Sequence, residues 1–256
     1  MTRTRAAYHW DLFWMLTRTE FRLRDQGTLI GFLWTLLHPL FIFLILHALF
    51  VHAMSPRIPQ YASRLLIGIV QWNFFSTGTS AGLTSLRRKS GIIASHAFPR
   101  LLVVLSSVAA VLLSHLLEWG VLLAGLCAAG TLPNPGWLAL PFLVAAELAL
   151  VAGVSCLLAL WAVHLRDLER AWSLLLYGLF FMTPVFYTAE ALGGAAPLLT
   201  ALNPLAWVIE GTRAALLDGA LRPSNASLGL AAGLAAFCAA AGTFFSSRSR
   251  GIAERL

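Results

Sequence analysis

Charge is what this sequence has least of. Of 256 residues only 11% are Asp, Glu, Lys or Arg, against about 25% in an ordinary soluble domain. A chain this poor in charge cannot coat a water-facing surface, which excludes a soluble globular domain of any size. Cysteine is scarce as well. Cys127, Cys156 and Cys238 lie inside apolar runs without CxxC spacing, so neither a disulfide framework nor a cysteine metal site is indicated. No GxxxxGK[ST] is present, which excludes a P-loop ATPase within this chain, and there is no HExxH. His38, His47 and His115 stand in apolar runs with no partner at ligand spacing, and no metal site is expected.

What is present is hydrophobicity, at 59% apolar residues. A helix needs roughly 20 apolar residues to cross the hydrocarbon core. Six runs approach that length: 30–51, 65–86, 101–129, 137–163, 171–188 and 226–247. They are continuous and rich in Leu and Ala, unlike the short alternating strands of a membrane barrel. The sequence therefore predicts an all-α polytopic membrane protein with six transmembrane helices. Residues 1–28 form a cytoplasmic amphipathic segment and 29–256 a single membrane domain. Arg3 and Arg5 lead into a mixed segment rather than an apolar core, so the first span is expected to be an uncleaved signal anchor.

The net charge of +7 sits mostly at the ends of these runs. That placement points to an anionic membrane surface rather than a nucleic acid. With both termini cytoplasmic, the inner segments hold fourteen of the basic residues. The outer segments hold only Arg57, Arg64, Arg213 and Arg222. This bias fits six spans under the positive-inside rule.

Two connecting segments are more than loops. Residues 8–25 place Trp10, Phe13, Trp14, Thr17 and Phe21 on one helical face, with Asp11, Arg18, Arg22 and Asp25 on the other. This is the pattern of an interfacial helix. The outer segment 190–223 is too long and apolar for a plain loop. It is expected to hold short re-entrant helices, one of them at 205–217 with Glu210 and Arg213 paired at i,i+3. Glu118 and Glu147 are carboxylates inside apolar runs, and Glu118 shares a face with His115. They fit either positions near helix ends or a proton relay. Asn225-Ala226-Ser227 spells a glycosylation acceptor of little specificity.

The residues 18–25, followed by Gly27, Leu29, Gly31, Leu33-Trp34 and Pro39, resemble the entry to the first span of ABC exporter permeases of the polysaccharide and polyol-phosphate class. Gly68, Trp72, Phe74-Phe75 and Ser76 resemble that family's second span. Residues 87–100, ending Phe98-Pro99-Arg100, resemble its cytoplasmic loop. Pro184, Tyr187, Leu202-Asn203-Pro204 and Arg213 resemble its last outer segment. The likeness runs from about residue 10 to 255.

The resemblance implies a homodimer above two copies of a separate nucleotide-binding ATPase, which would carry the ATP and magnesium. This chain would have no cofactor and no catalytic residue. The cargo would be a lipid-linked glycan or polyol-phosphate polymer, crossing a bacterial cytoplasmic membrane. A coupling stretch at 88–96 is expected to dock on the ATPase, with Arg87, Arg88, Lys89, Ser90, His96, Phe98 and Arg100 as its contacts. Trp10, Trp14, Arg18, Phe21 and Arg22 would form a gate helix along the inner interface. Aromatic stripes at helical spacing, Trp34–His38–Phe41–Ile45 and Tyr177–Phe180–Pro184–Tyr187, suit a slippery channel wall, since a polymer must not bind tightly at one place. Trp34, Phe41, Trp72, Tyr177, Phe180, Phe181 and Tyr187 are the candidate lining, and the same residues serve equally as packing or interfacial belts. An ABC permease for drugs or small lipids, and an ion-coupled transporter or flippase using Glu118 and Glu147, are the alternative readings.

Overall fold

The computed structural model describes residues 5–24, 29–95, 98–165, 167–187, 203–219 and 225–249. Among these residues the chain is helical and contains no strand. The described residues form nine α-helices: α1 (Arg5–Arg24), α2 (Leu29–Met54), α3 (Tyr61–Arg88), α4 (Ser90–Ser95), α5 (Leu101–Ala128), α6 (Leu140–Ala162), α7 (Leu168–Met182), α8 (Pro204–Leu217) and α9 (Asn225–Arg248). A 3-10 turn, Pro135–Ala139, leads into α6.

Among the described residues four segments are long and apolar enough to cross a bilayer: Leu33–Met54, Leu101–Ala128, Pro135–Ala162 and Ser227–Arg248. They correspond to the first, third, fourth and sixth expected runs. α3, at 28 residues, reaches about 42 Å at 1.5 Å per residue, but its middle carries Gln71, Asn73, Ser76 and Thr79. α7 is helical for 15 residues, about 22 Å, short of the roughly 30 Å core.

α7 ends earlier than its hydrophobic run. Thr183 is extended, at φ −93° and ψ 137°, because the ring of Pro184 disfavours helical geometry in the residue before it. The expected stripe Tyr177–Phe180–Pro184–Tyr187 is thus not one helical face. Pro184 stops the helix instead of kinking it, and the Tyr187 hydroxyl turns back to donate to the Phe181 carbonyl at 3.0 Å.

α3 is the central helix, packed against α2, α5, α6, α7 and α8. Its approach to α6 depends on two missing side chains. A Cβ on Gly78 would lie 2.6 Å from Cγ1 of Val151, and one on Gly82 would overlap Ser155. Small residues of this kind let membrane helices pack by van der Waals contact where no hydrophobic driving force operates.

The two ends of the bundle are chemically distinct. At one end Leu86, Ile93, Val103, Val104, Ala159 and Phe245 form a core cluster. This joins the end of α3 to α4, the start of α5 and the ends of α6 and α9. At the other end Ile67, Val70, Trp119, Leu122, Leu126 and Leu216 cluster together. Polar ties follow the same division. Asn134 and Trp137 both donate to the Leu216 carbonyl, at 2.9 and 3.2 Å, and Arg64 pairs with Asp218 at 2.7 Å. The helices α3, α5 and α6 therefore alternate in direction, as the expected topology requires.

Candidate functional site

The first candidate surface is the end built around α4. The expected coupling stretch is helical over Ser90–Ser95, and His96 lies outside the described residues. Ile93 faces inward, while Gly91 and Ile92 are exposed. Phe98 does not project as a docking side chain. It packs half-buried against the Leu86–Ile93–Val103 cluster, so its contacts fix α4 to α3 and α5. Pro99 and Arg100 precede α5, with Arg100 half-buried.

The three consecutive cations are already partnered within the chain. Arg87 Nη2 lies 2.5 Å from Oε2 of Glu169 at the start of α7. Arg88 Nη1 is 3.3 Å from Oε1 of Glu20, and Lys89 Nζ is 2.6 Å from Oε2 of the same residue. Lys89 also donates to Ser107 Oγ at 3.0 Å and Ser106 Oγ at 3.4 Å. Glu20 and Lys89 are both largely buried, whereas Glu169 and Arg88 are exposed. These ties knit α1, α5 and α7 to the α3–α4 corner.

α1 packs along α5 on a face that shares Phe13, Trp14, Thr17 and Phe21 with the expected one but is turned away from Trp10. Its covered stripe is Leu16, Thr17 and Glu20, beside the half-buried Phe13 and Trp14. Trp10 is 61% exposed, although it stacks on Phe13 and meets Trp14 edge-on. The rotation brings Glu20 inward, where Lys89 meets it. Arg18 and Arg22 stay on the open side and line a shallow cavity with Trp10, Asp11 and Trp14. Phe21 is half-buried.

The aromatic candidates divide into two sets. Trp34 and Phe41 on α2, and Tyr177 and Phe181 on α7, are more than half exposed in the single chain. Trp72 is buried in the core beside Phe75 and meets Phe180 edge-on at 5.4 Å. A cavity of about 290 Å³ opens beside it, walled by Trp72, Phe75, Leu179, Thr183 and Asn203. Asn203 is set by its place in the chain. Its Oδ1 accepts from the amides of Leu205 and Ala206 as the N-cap of α8, and Pro204 takes the first helical position. Its Nδ2 donates to Thr183 Oγ1 at 2.9 Å.

Arg213 organises the opposite end. It is 1% exposed, the bulkiest fully buried side chain among the described residues. Its Nε donates to the Arg64 carbonyl, Nη1 to the carbonyls of Pro184 and Tyr187, and Nη2 to that of Val185 at 2.6 Å. Glu210 neutralises it at 2.9 Å. The expected i,i+3 pair is therefore present, as part of a larger clamp joining α3, α8 and the segment after α7. The remainder of the expected re-entrant region, 190–202 and 220–223, lies outside the described residues.

Glu169 carries no sequence motif, and the stretches around Glu20, Asn203 and Arg213 that carry the resemblance do not reveal what these side chains bind. The only local signal is that each is a polar residue beside an apolar run. The reverse also occurs. Gly78-Thr79-Ser80-Ala81-Gly82 spells G-x-S-x-G, but a nucleophile elbow needs a strand-to-helix turn. Here the pentapeptide is mid-helix in α3, its glycines serve packing on α6, and Ser80 Oγ donates to the Ser76 carbonyl.

Residues 11–217 match the family described as ABC-2 type transporter. An O-antigen export system permease protein RfbA from Klebsiella pneumoniae is 28% identical over 215 residues, covering 84% of this chain and 83% of that protein. One of the same name from Myxococcus xanthus is 28% identical over 243 residues, 94% of each chain.

Proposed function

Because the chain belongs to the ABC-2 type transporter family, we propose that it is the membrane-spanning subunit of an ATP-driven exporter of a lipid-linked polysaccharide, of the O-antigen, capsule or teichoic-acid kind. The observation that carries this reading is the near end-to-end correspondence with the permease of Myxococcus xanthus. The chain acts as a homodimer with two copies of a separate ATPase, which hold the ATP and magnesium. It is a transport subunit of a bacterial cytoplasmic membrane, with both termini inside.

The geometry supports a path for force. α4 is bolted to α3 and α5 through Ile93 and Phe98, and to α1 and α7 through the ion pairs of Lys89 and Arg87. Closure of the ATPase pair beneath α4 would move these helices together. The Gly91–Ile92 face is exposed, which supports docking of the ATPase on this stretch, with His96 as a further expected contact. Arg87, Arg88 and Lys89 then act chiefly by holding the docking helix in place. Trp34, Phe41, Tyr177 and Phe181 lie on surfaces that one chain leaves open, which supports a second copy and a conduit lined by aromatic faces.

Deleting the gene in its host tests the reading. Lipid-linked glycan should accumulate on the inner leaflet and disappear from the surface. The full chain, but not one lacking residues 88–96, should restore it. Unchanged surface glycan in the deletion strain would defeat the assignment of cargo.

A further inference from the structure

Three helices bring ionisable side chains together in the middle of the bundle. His115 and Glu118 come from α5 and Glu147 from α6, while α3 adds the amide of Asn73 and the ring of Phe74. His115, Glu118 and Glu147 are 1%, 4% and 0% exposed. Glu118 lies well inside α5 and Glu147 a full two turns into α6, so neither lies at a helix end.

The donors are shared unevenly. Asn73 Nδ2 donates to Glu118 Oε1 at 2.9 Å. Trp119 Nε1 donates to His115 Nε2 at 2.7 Å. An indole N–H can only donate, so Nε2 must carry a lone pair. The imidazole is therefore neutral, with its proton on Nδ1, facing Glu118 Oε2 at 3.6 Å. Phe74 stacks on the same ring with centroids 4.3 Å apart, fixing its plane. Glu147 approaches His115 only through Nε2, at 3.9 Å, the atom that has no proton to give. Both Glu147 oxygens lack a hydrogen-bond partner.

A bare carboxylate at this depth, with no donor, is among the costliest groups a bundle can hold. A second carboxylate on the other side of the same imidazole makes it costlier, since two nearby carboxylates do not ionise together. We propose that His115, Glu118 and Glu147 form an intramembrane proton-binding site in which Glu147 carries the proton as a neutral carboxylic acid. Glu118 is the anion, held by the Asn73 amide, with His115 Nδ1 facing its second oxygen beyond hydrogen-bond distance. The inference stands on the placement of α3, α5 and α6 and is independent of the cargo and of the ATPase.

Infrared spectroscopy of the purified chain in phosphatidylethanolamine–phosphatidylglycerol nanodiscs at neutral pH tests it. Wild-type protein should show the carbonyl stretch of a protonated carboxylic acid, moving on 13C-glutamate labelling and in D2O. Glu147→Gln, which keeps the size and neutrality of the acid, should unfold at the wild-type temperature and lose the band. Glu118→Gln should keep it. Absence of the band from labelled wild-type protein overturns the proposal without reference to any variant. A band that survives Glu147→Gln overturns it as well.

Discussion

Lys89 Nζ lies 2.6 Å from Oε2 of Glu20, although the two residues are separated by the whole of α2 and α3. The pair joins the helix lying along α5 to the residue between α3 and α4. Lys89 is the chain's single lysine, and its ammonium has three donors to distribute. One goes to Glu20 and two toward the hydroxyls of Ser106 and Ser107 on α5.

Lys89→Met should therefore lower the stability of the isolated chain, because Glu20 is left inside with only the longer contact to the exposed Arg88. The cost expected for a largely buried charged group losing its donor is about 1–3 kcal/mol. Lys89→Arg should recover most of it. Thermal unfolding in detergent reads the effect. If Lys89 served only as a contact for the ATPase, the unfolding temperature of the chain alone would not move.

Arg87 provides the contrast on the same corner. Its pair with Glu169 is short, but both side chains are more than a third exposed. Such pairs contribute about 0–1 kcal/mol and fade with salt. Arg87→Gln should leave thermal stability at 0.5 M salt unchanged. Its effect, measured as ATPase activity of the assembled complex, should be small beside that of Lys89→Met.

The helices themselves were legible because an apolar run of about 20 residues has few other uses. The basic stretch 87–89 was legible as a feature of one end, and the family resemblance rested on motifs that the ABC-2 match spans. Its internal partners were not. A helical wheel centres the α1 stripe on its aromatics and Thr17, whereas the structure turns the helix so that Leu16 and Glu20 also face inward, where Lys89 meets the carboxylate. The stop at Met182 was written in Pro184 but masked by the continuing hydrophobicity of Val185 and Phe186. The meeting of Glu118 with Glu147 depends on the rotation of α5 against α6, which no run of hydrophobicity records.

Arg213 and Gly68 make a linked pair of predictions. A Cβ on Gly68 would lie 2.7 Å from both Arg213 Nη2 and the Val185 carbonyl. Gly68→Ala should cost about 1–3 kcal/mol, as overpacking in a filled site does. Arg213→Met should cost more, about 3–5 kcal/mol, since Glu210 loses its counter-charge and four carbonyls lose their donor. Arg213→Lys should recover only part of this, because a point ammonium cannot replace a planar fork with several directed N–H groups. Unfolding midpoints for the four proteins should rank wild type, Gly68→Ala, Arg213→Lys and Arg213→Met in falling order.

The exposed aromatics separate lining from packing. Tyr177 is 72% exposed and Trp34 61%, so truncating either removes almost no contact within the chain. Surface substitutions of this kind shift stability by about 0.5 kcal/mol or less. Tyr177→Ala and Trp34→Ala should therefore leave the unfolding temperature unchanged while reducing glycan export several-fold. Trp72→Ala removes a buried ring that packs on Phe75 and Phe180, and should cost about 3–5 kcal/mol. Export assays paired with unfolding on the same preparations distinguish the two classes. Full export by the Tyr177 and Trp34 variants would mean that their rings face lipid, and that the conduit is walled by other residues.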